Sequence, residues 1–173
     1  AVYSTTIPQT EEICLEAVKQ DGRNLFHVKT KTEEICLEAV KQDGYALKYV
    51  KKQTDEICLA AINNYPYALK YVKNQTDEMC MMAVKKEGDS LTYAKNQTNE
   101  LCLEAVKQNG HALKHVYHKT NELCLEAVKH EGYAIQYIQN PTEEMKLIAV
   151  GQRGLSLAYI SNPTKEICLK AVN

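Results

Sequence analysis

The amino-acid sequence predicts an all-α protein, an α-solenoid of 22-residue helix-turn-helix repeats with seven full units and one half unit. The stretch TEEICLEAVKQDG occurs twice, beginning at Thr10 and at Thr32, and variants of it follow at the same interval without insertion. A fixed period of this length is the signature of a repeat architecture. The repeats open at Thr10, Thr32, Thr54, Thr76, Thr98, Thr120, Thr142 and Thr164.

Each repeat begins with the pattern of a helix start. When the threonine is counted as position 1, position 3 is always glutamate and positions 4, 8 and 9 are always hydrophobic. Threonine is a favoured N-cap, and glutamate in the first turn interacts well with the helix dipole. We therefore expect an α-helix of about ten residues after each threonine.

Position 13 predicts the end of this helix. It is glycine in six full repeats, from Gly22 to Gly154, and glycine most easily adopts the left-handed conformation that closes a helix. The third repeat has Pro66 there instead, and proline can open a following helix. The next residues, for example Tyr45 to Gln53, predict a second helix of about two turns and then a polar turn.

The hydrophobic residues cover too wide an arc for an isolated helix. Positions 4, 5, 6, 8 and 9 span roughly 200° of the first helix, so each repeat must pack on its neighbours. Continuous helices, in a supercoil or on lipid, and leucine-rich repeats can have similar periods. Mid-repeat glycine and boundary proline disfavour continuous helices, and the L-x-x-L-x-L spacing of leucine-rich repeats is missing.

The repeats predict a single α-solenoid domain over residues 10–173, preceded by an atypical N-terminal segment over residues 1–9. The eighth repeat contains only a first helix, and its open apolar side predicts further repeats in a longer protein or end-to-end association. The net charge of -1 disfavours a protein that mainly coats nucleic acid or an anionic membrane. No transmembrane segment is expected, because no apolar run approaches the roughly 20 residues of a bilayer span, and no signal peptide, because AVYSTTIPQT has neither a basic start nor an apolar middle.

Seven cysteines form a column at position 5, where Lys146 stands in the seventh repeat. This position is central in the hydrophobic arc, where free cysteine acts as a small hydrophobe. Adjacent layers lie about 8 to 10 Å apart, too far for a disulfide, and no C-x-x-C pair has metal-chelating spacing. We expect reduced buried thiols and an intracellular (cytoplasmic) or virion location. No catalytic residue, metal, cofactor or enzymatic activity is predicted.

The main functional hypothesis is a non-enzymatic structural or protein-protein interaction repeat that meets a protein partner or further copies of itself. The alternative is modular binding of single-stranded nucleic acid along columns of lysine and tyrosine, which the charge balance disfavours. The candidate interaction surface consists of variable positions in and around the second helix. Its residues are Lys48, Lys51, Lys70, Lys73, Lys95, Tyr45, Tyr67, His111 and Tyr133.

The repeat can be written T-x-E-[IML]-C-[LM]-x-A-[VI]-x-x-x-G-x-[AS]-L-x-Y-V, and LEAVKQNGHALKHV at Leu103 to Val116 shows its second part well. This pattern resembles a family of short helical repeats, a domain of unknown function (DUF4116-like) found in amoeba-infecting giant viruses and some bacteria. The resemblance extends from Thr10 to Val172. It implies a helical array with a viral or bacterial source, and it carries over no catalytic or binding residues.

Overall fold

The structure, a computed structural model, describes residues 9–172, so the predicted atypical segment lies outside it except for Gln9. Within that range eight α-helices alternate with seven short 3-10 helices, and there is no strand. The α-helices are α1 (Glu11–Gln20), α2 (Glu33–Gln42), α3 (Asp55–Asn64), α4 (Asp77–Lys86), α5 (Asn99–Gln108), α6 (Asn121–His130), α7 (Glu143–Gln152) and α8 (Lys165–Val172). The 3-10 helices are η1 (Gly22–His27), η2 (Gly44–Tyr49), η3 (Pro66–Tyr71), η4 (Gly88–Tyr93), η5 (Gly110–His115), η6 (Gly132–Tyr137) and η7 (Gly154–Tyr159).

The chain divides into two compact units, with the division between Gln75 and Thr76. The N-terminal unit contains α1 to α3 and η1 to η3, and the C-terminal unit contains α4 to α8 and η4 to η7. Within each unit, α-helices pack on the next α-helix and short helices on the next short helix. The prediction of an all-α solenoid of 22-residue repeats is confirmed. The single domain over residues 10–173 stays a prediction.

Every α-helix begins at the predicted threonine cap. In each repeat the threonine Oγ1 accepts a hydrogen bond from the backbone N–H three residues later, at 3.2 to 3.4 Å. This bond satisfies one of the four backbone donors that a helix start leaves unpaired. In the seven complete repeats the α-helix is ten residues long, as the sequence predicts.

The left-handed conformation predicted for the position-13 glycines is wrong. Among the described residues no glycine has a positive φ, and these six glycines instead open the short helices. Glycine is needed because a neighbouring repeat comes very close. A Cβ atom on Gly44 would lie 2.3 Å from the carbonyl oxygen of Ala61, and one on Gly110 would lie 2.7 Å from that of Ala127. At Gly44 and Gly110 only a hydrogen atom fits, whereas the third repeat has Pro66 at this position.

The second helix of each repeat is a six-residue 3-10 helix, which makes the two turns that the sequence predicts. In a 3-10 helix, residues three apart lie on the same side. Positions 16 and 19 therefore face the core together, as in Leu47 at 0% and Val50 at 3% exposure. In the third repeat Pro66 opens the short helix, as predicted, because its missing N–H would have no helical partner there.

Candidate interaction surface

The aromatic residues of the predicted surface lie at position 14, half-buried against the next repeat. Each of three rings contacts the ring at position 18 of the following repeat, edge to face. The pairs and their centroid distances are Tyr45 with Tyr71 at 5.4 Å, His111 with Tyr137 at 6.0 Å, and Tyr133 with Tyr159 at 6.1 Å. Tyr67 is half-buried at the same position. These rings therefore join successive short helices, and only part of each ring remains accessible.

Polar side chains make the same connection where an aromatic pair is missing. Asp89, at position 14, lies 3.6 Å from Nε2 of His115 at position 18 of the next repeat. Burial lowers the pKa of His115, and Lys114 lowers it further, while Asp89 acts in the opposite direction. His115 is therefore held mainly neutral at neutral pH, and its ring packs beside Asp89 between two successive short helices.

The predicted lysines are exposed, and one of them is held in place by tyrosines. The Nζ atom of Lys48 donates a hydrogen bond to the Tyr45 hydroxyl at 2.7 Å and lies 4.7 Å from the centre of the Tyr49 ring. The hydrogen bond raises the pKa of Lys48 and lowers that of Tyr45. Lys73 donates to the carbonyl oxygen of Lys51 in the preceding turn. The ammonium groups of Lys48 and Lys73 are thus held by contacts within the protein.

The lysines are concentrated in the N-terminal unit. Lys48, Lys51, Lys70 and Lys73 belong to two successive repeats of that unit, and Lys95 is the corresponding turn residue of the fourth repeat. The last two short helices of the C-terminal unit have uncharged residues in the equivalent places. These are Gln136, Gln139, Ala158 and Ser161, all of them exposed.

A glutamine at position 22 connects successive polar turns, a contact that the repeat pattern alone does not predict. Gln53 donates to the Tyr71 carbonyl and accepts from the Lys73 amide, both at 2.9 Å. Gln97 makes the equivalent bonds 44 residues later, at 2.9 and 3.0 Å. Gln9 does the same to the first turn. The recurring Gln-Thr pair was the available signal, but its partners are backbone atoms 18 and 20 residues away.

A second group of amide side chains, at position 11, caps the short helix of the preceding repeat. Asn64 accepts from the Gly44 amide at 2.7 Å, and Gln108 accepts from the Gly88 amide at 2.7 Å. The backbone N–H groups of Gly44 and Gly88 lie at the start of a 3-10 helix, where no helical acceptor is available. The Asn and Gln side chains at positions 11 and 22 therefore stabilise the stacking of repeats.

The cysteine column is buried, as predicted, in six of its seven members. Burial raises the pKa of five thiols, namely Cys36, Cys58, Cys80, Cys102 and Cys124. Cys168 is only half-buried. Lys146, which takes the cysteine position in the seventh repeat, extends its Nζ atom to 2.6 Å from Glu143 Oε1. The column is a packing feature, because a raised pKa leaves little of the reactive thiolate at neutral pH.

We expect Cys168 to react first when the folded protein is treated with an aromatic disulfide reagent at pH 7. Cys168 is half-buried, whereas the other six cysteines are buried and should react more slowly, through local opening of the array. The absorbance of the released thiolate should show a fast phase of one thiol and a slow remainder. Cys168→Ser should remove the fast phase and Cys36→Ser should leave it. Fast reaction of several thiols would contradict the packing role.

Neither a metal centre nor a membrane span is visible in residues 9–172. No three His, Cys, Asp or Glu side chains in that range are close enough together to bind a metal ion. No helix in that range is both long enough and apolar enough to cross a bilayer.

Comparison with protein families gives five overlapping matches to one family, described as Domain of unknown function (DUF4116). The matched residues are 10–53, 32–77, 54–98, 76–119 and 98–141, so each match covers two repeats and starts one repeat after the last. The chain belongs to this family. A DUF4116 domain thus corresponds to a pair of the helix and short-helix repeats described above. Neither the curated proteins nor the solved structures include a match to the chain.

Proposed function

We propose that this DUF4116 chain is a non-enzymatic interaction repeat whose short-helix face in the N-terminal unit binds an acidic segment of a protein partner. The observation that carries the proposal is the row of exposed lysines on successive repeats. Lys48 and Lys70 lie at position 17 of the second and third repeats, and Lys51 and Lys73 follow at position 20. An acidic segment could meet several of these cations at the interval of the repeat.

Two features favour a protein partner over single-stranded nucleic acid. Binding without sequence preference normally uses open aromatic faces on which bases stack. Here most rings at positions 14 and 18 are half-buried, and several contact each other, as Tyr45 and Tyr71 do. The overall charge of -1 also gives no general attraction for a phosphate backbone.

Association with further copies of the chain is a second part of the proposal. Leu155 in η7 is 76% exposed, and Leu169 in α8 is 52% exposed. Large exposed apolar side chains are candidates for a contact with another protein molecule. Free buried thiols fit a reducing interior, and we therefore also propose an intracellular or virion location.

The experiment that tests the binding proposal compares two labelled probes, a short polyglutamate peptide and an oligothymidylate of the same length, by fluorescence anisotropy. We expect the peptide to bind, and Lys48→Glu/Lys70→Glu to abolish binding. The matched control, Lys19→Glu/Lys41→Glu, makes the same charge change on the α-helices and should retain most of the affinity. Light scattering on the unlabelled protein should show a mass that rises with concentration.

Three outcomes would contradict the proposal. Tight binding of the oligothymidylate without binding of the peptide would favour the nucleic-acid alternative. An equal loss of peptide affinity in the two double variants would show that binding depends only on the total charge of the protein. Absence of peptide binding even at an ionic strength of about 0.01 M, where charges act over roughly 30 Å, would remove the lysine face as a binding surface.

A further inference from the structure

A cavity of about 400 Å³ lies between the polar turns of the first and second repeats. Four lysines line it, Lys29 and Lys31 from the first turn and Lys51 and Lys52 from the second. Glu33 is the acidic residue of the lining. The charged groups of this lysine pocket therefore have an excess of three positive charges. Lys29, Lys51 and Lys52 are exposed, so the cavity opens to solvent and an anion that enters it is attracted by several cations.

The repeat supplies an internal comparison one step along the chain. The cavity between the second and third turns has a volume of about 250 Å³ and is lined by residues 22 positions further on. It keeps two lysines, Lys51 and Lys73, and one acidic residue, Asp55. Gln53 and Asn74 stand where the lysine pocket has Lys31 and Lys52. Two substitutions therefore separate an ordinary inter-repeat gap from the lysine pocket.

The substitution at position 22 also opens a hydrogen-bonding position. Gln53 accepts a hydrogen bond from the backbone amide of Lys73 and so links its own turn to the next one. Lysine has no acceptor atom, so Lys31 cannot accept in this way from the amide of Lys51. Lys31 instead donates to the carbonyl oxygen of Val28 in its own turn. A ligand oxygen in the lysine pocket could take the place of the missing glutamine oxygen.

We propose that the lysine pocket binds a small phosphorylated ligand that carries two or more phosphate groups. Lysine ammonium groups are common phosphate ligands, and an excess of three charges matches a diphosphate or triphosphate better than a single carboxylate. The volume of about 400 Å³ is within the range of small-molecule sites.

This inference goes beyond the proposed binding of an acidic protein, because it depends on Lys31 and Lys52 and not on Lys48 and Lys70. The test is isothermal titration calorimetry of the whole chain with inorganic pyrophosphate and with tripolyphosphate. Lys31→Gln/Lys52→Asn gives the lysine pocket the composition of the neighbouring cavity. Lys85→Gln/Lys86→Asn makes the same charge change at exposed positions of α4 and is the matched control.

We expect one pyrophosphate per chain, with affinity reduced at least about tenfold in Lys31→Gln/Lys52→Asn and unchanged in the control. The reverse change, Gln53→Lys/Asn74→Lys, should add a second site of similar affinity. Melting curves by circular dichroism establish that each variant is folded. Lys51 belongs to both surfaces, but the peptide titration changes Lys48 and Lys70, which do not line the lysine pocket, so either proposal can fail while the other holds.

The inference is overturned by three results. The first is no heat of binding with either polyphosphate at millimolar concentration. The second is a stoichiometry above one that the two double variants reduce equally, which indicates general charge attraction. The third is that oligothymidylate binding is lost in Lys31→Gln/Lys52→Asn while pyrophosphate does not bind. That result assigns the lysines to a nucleic-acid backbone.

Discussion

Gly44→Ala should lower the free energy of unfolding by about 3 kcal/mol, because the new methyl group has no space. Its Cβ atom would lie 2.3 Å from the Ala61 carbonyl oxygen and 2.8 Å from the Tyr65 Cβ atom. Both belong to the next repeat and neither can rotate away. Ala61 also accepts the hydrogen bond that closes α3, from the Tyr65 amide at 2.8 Å. Moving the repeats apart would therefore weaken both the contact and the helix end.

Gly151→Ala is the matched control for this substitution. Gly151 lies in α7, and a Cβ atom there would meet the side chain of Lys170, at 2.8 Å from Cε, which can move aside. Because alanine favours the helix, we expect this variant to gain up to about 1 kcal/mol. Urea unfolding followed by circular dichroism measures the free energy of unfolding of both variants. The dependence of this free energy on urea concentration should also be compared, because repeat arrays can lose cooperativity. Similar stabilities for the two variants would show that the close contact at position 13 does not exist.

Gly44 shows which part of the helix end can be predicted from the sequence and which part cannot. A helix was correctly expected to end near position 13, because glycine and proline both interrupt the hydrophobic pattern there. The expected left-handed conformation of this glycine is wrong. Glycine is favoured both where the backbone needs a positive φ and where another part of the chain comes too close for a Cβ atom, and the sequence does not distinguish the two cases. The sequence shows that Gly44 is followed by Ala61 at a fixed interval, but it does not give the distance between a hydrogen atom and a carbonyl oxygen.

Local rules predicted the starts of the helices and most of the core. The cap made by Thr32 and the burial of Cys36 depend on residues within one helix, and their spacing is visible in the sequence. The amide bonds of Gln53 and Asn64 could not be predicted in the same way. Each of these side chains binds backbone atoms of a neighbouring repeat, so the contact depends on how the repeats stack.

The candidate surface was predicted only in part for the same reason. The exposure of Lys48 and Lys70 follows from their polarity and from the helical pattern. The half-burial of Tyr45 does not, because it results from Tyr71 in the next repeat. Variation along a column is therefore not sufficient evidence for a binding surface, since an inter-repeat contact can accept tyrosine, histidine or an aspartate such as Asp89. A residue that departs from the repeat pattern and lines a cavity, as Lys31 does, is stronger evidence for a binding site.

Leu47→Ala should lower the free energy of unfolding by about 2 to 5 kcal/mol. Leu47 is fully buried at position 16 of the short helix, and truncation would leave a cavity between η2 and the α-helices around it. Leu113→Ala, at the same position three repeats later, should cause a similar loss, because Leu113 is also 0% exposed. The short helices would then contribute to the core as much as the α-helices do.

Leu155→Ala makes the same chemical change at a residue that is 76% exposed, and we expect it to alter stability by less than about 0.5 kcal/mol. Urea unfolding curves of the three variants measure this difference directly. Amide hydrogen exchange should then show where the stability is lost. Because each repeat contacts mainly its neighbours, Leu47→Ala should accelerate exchange first in the second repeat and the repeats beside it. Uniform acceleration along residues 9–172, or a loss equal to that of Leu155→Ala, would contradict a core assembled from local contacts between repeats.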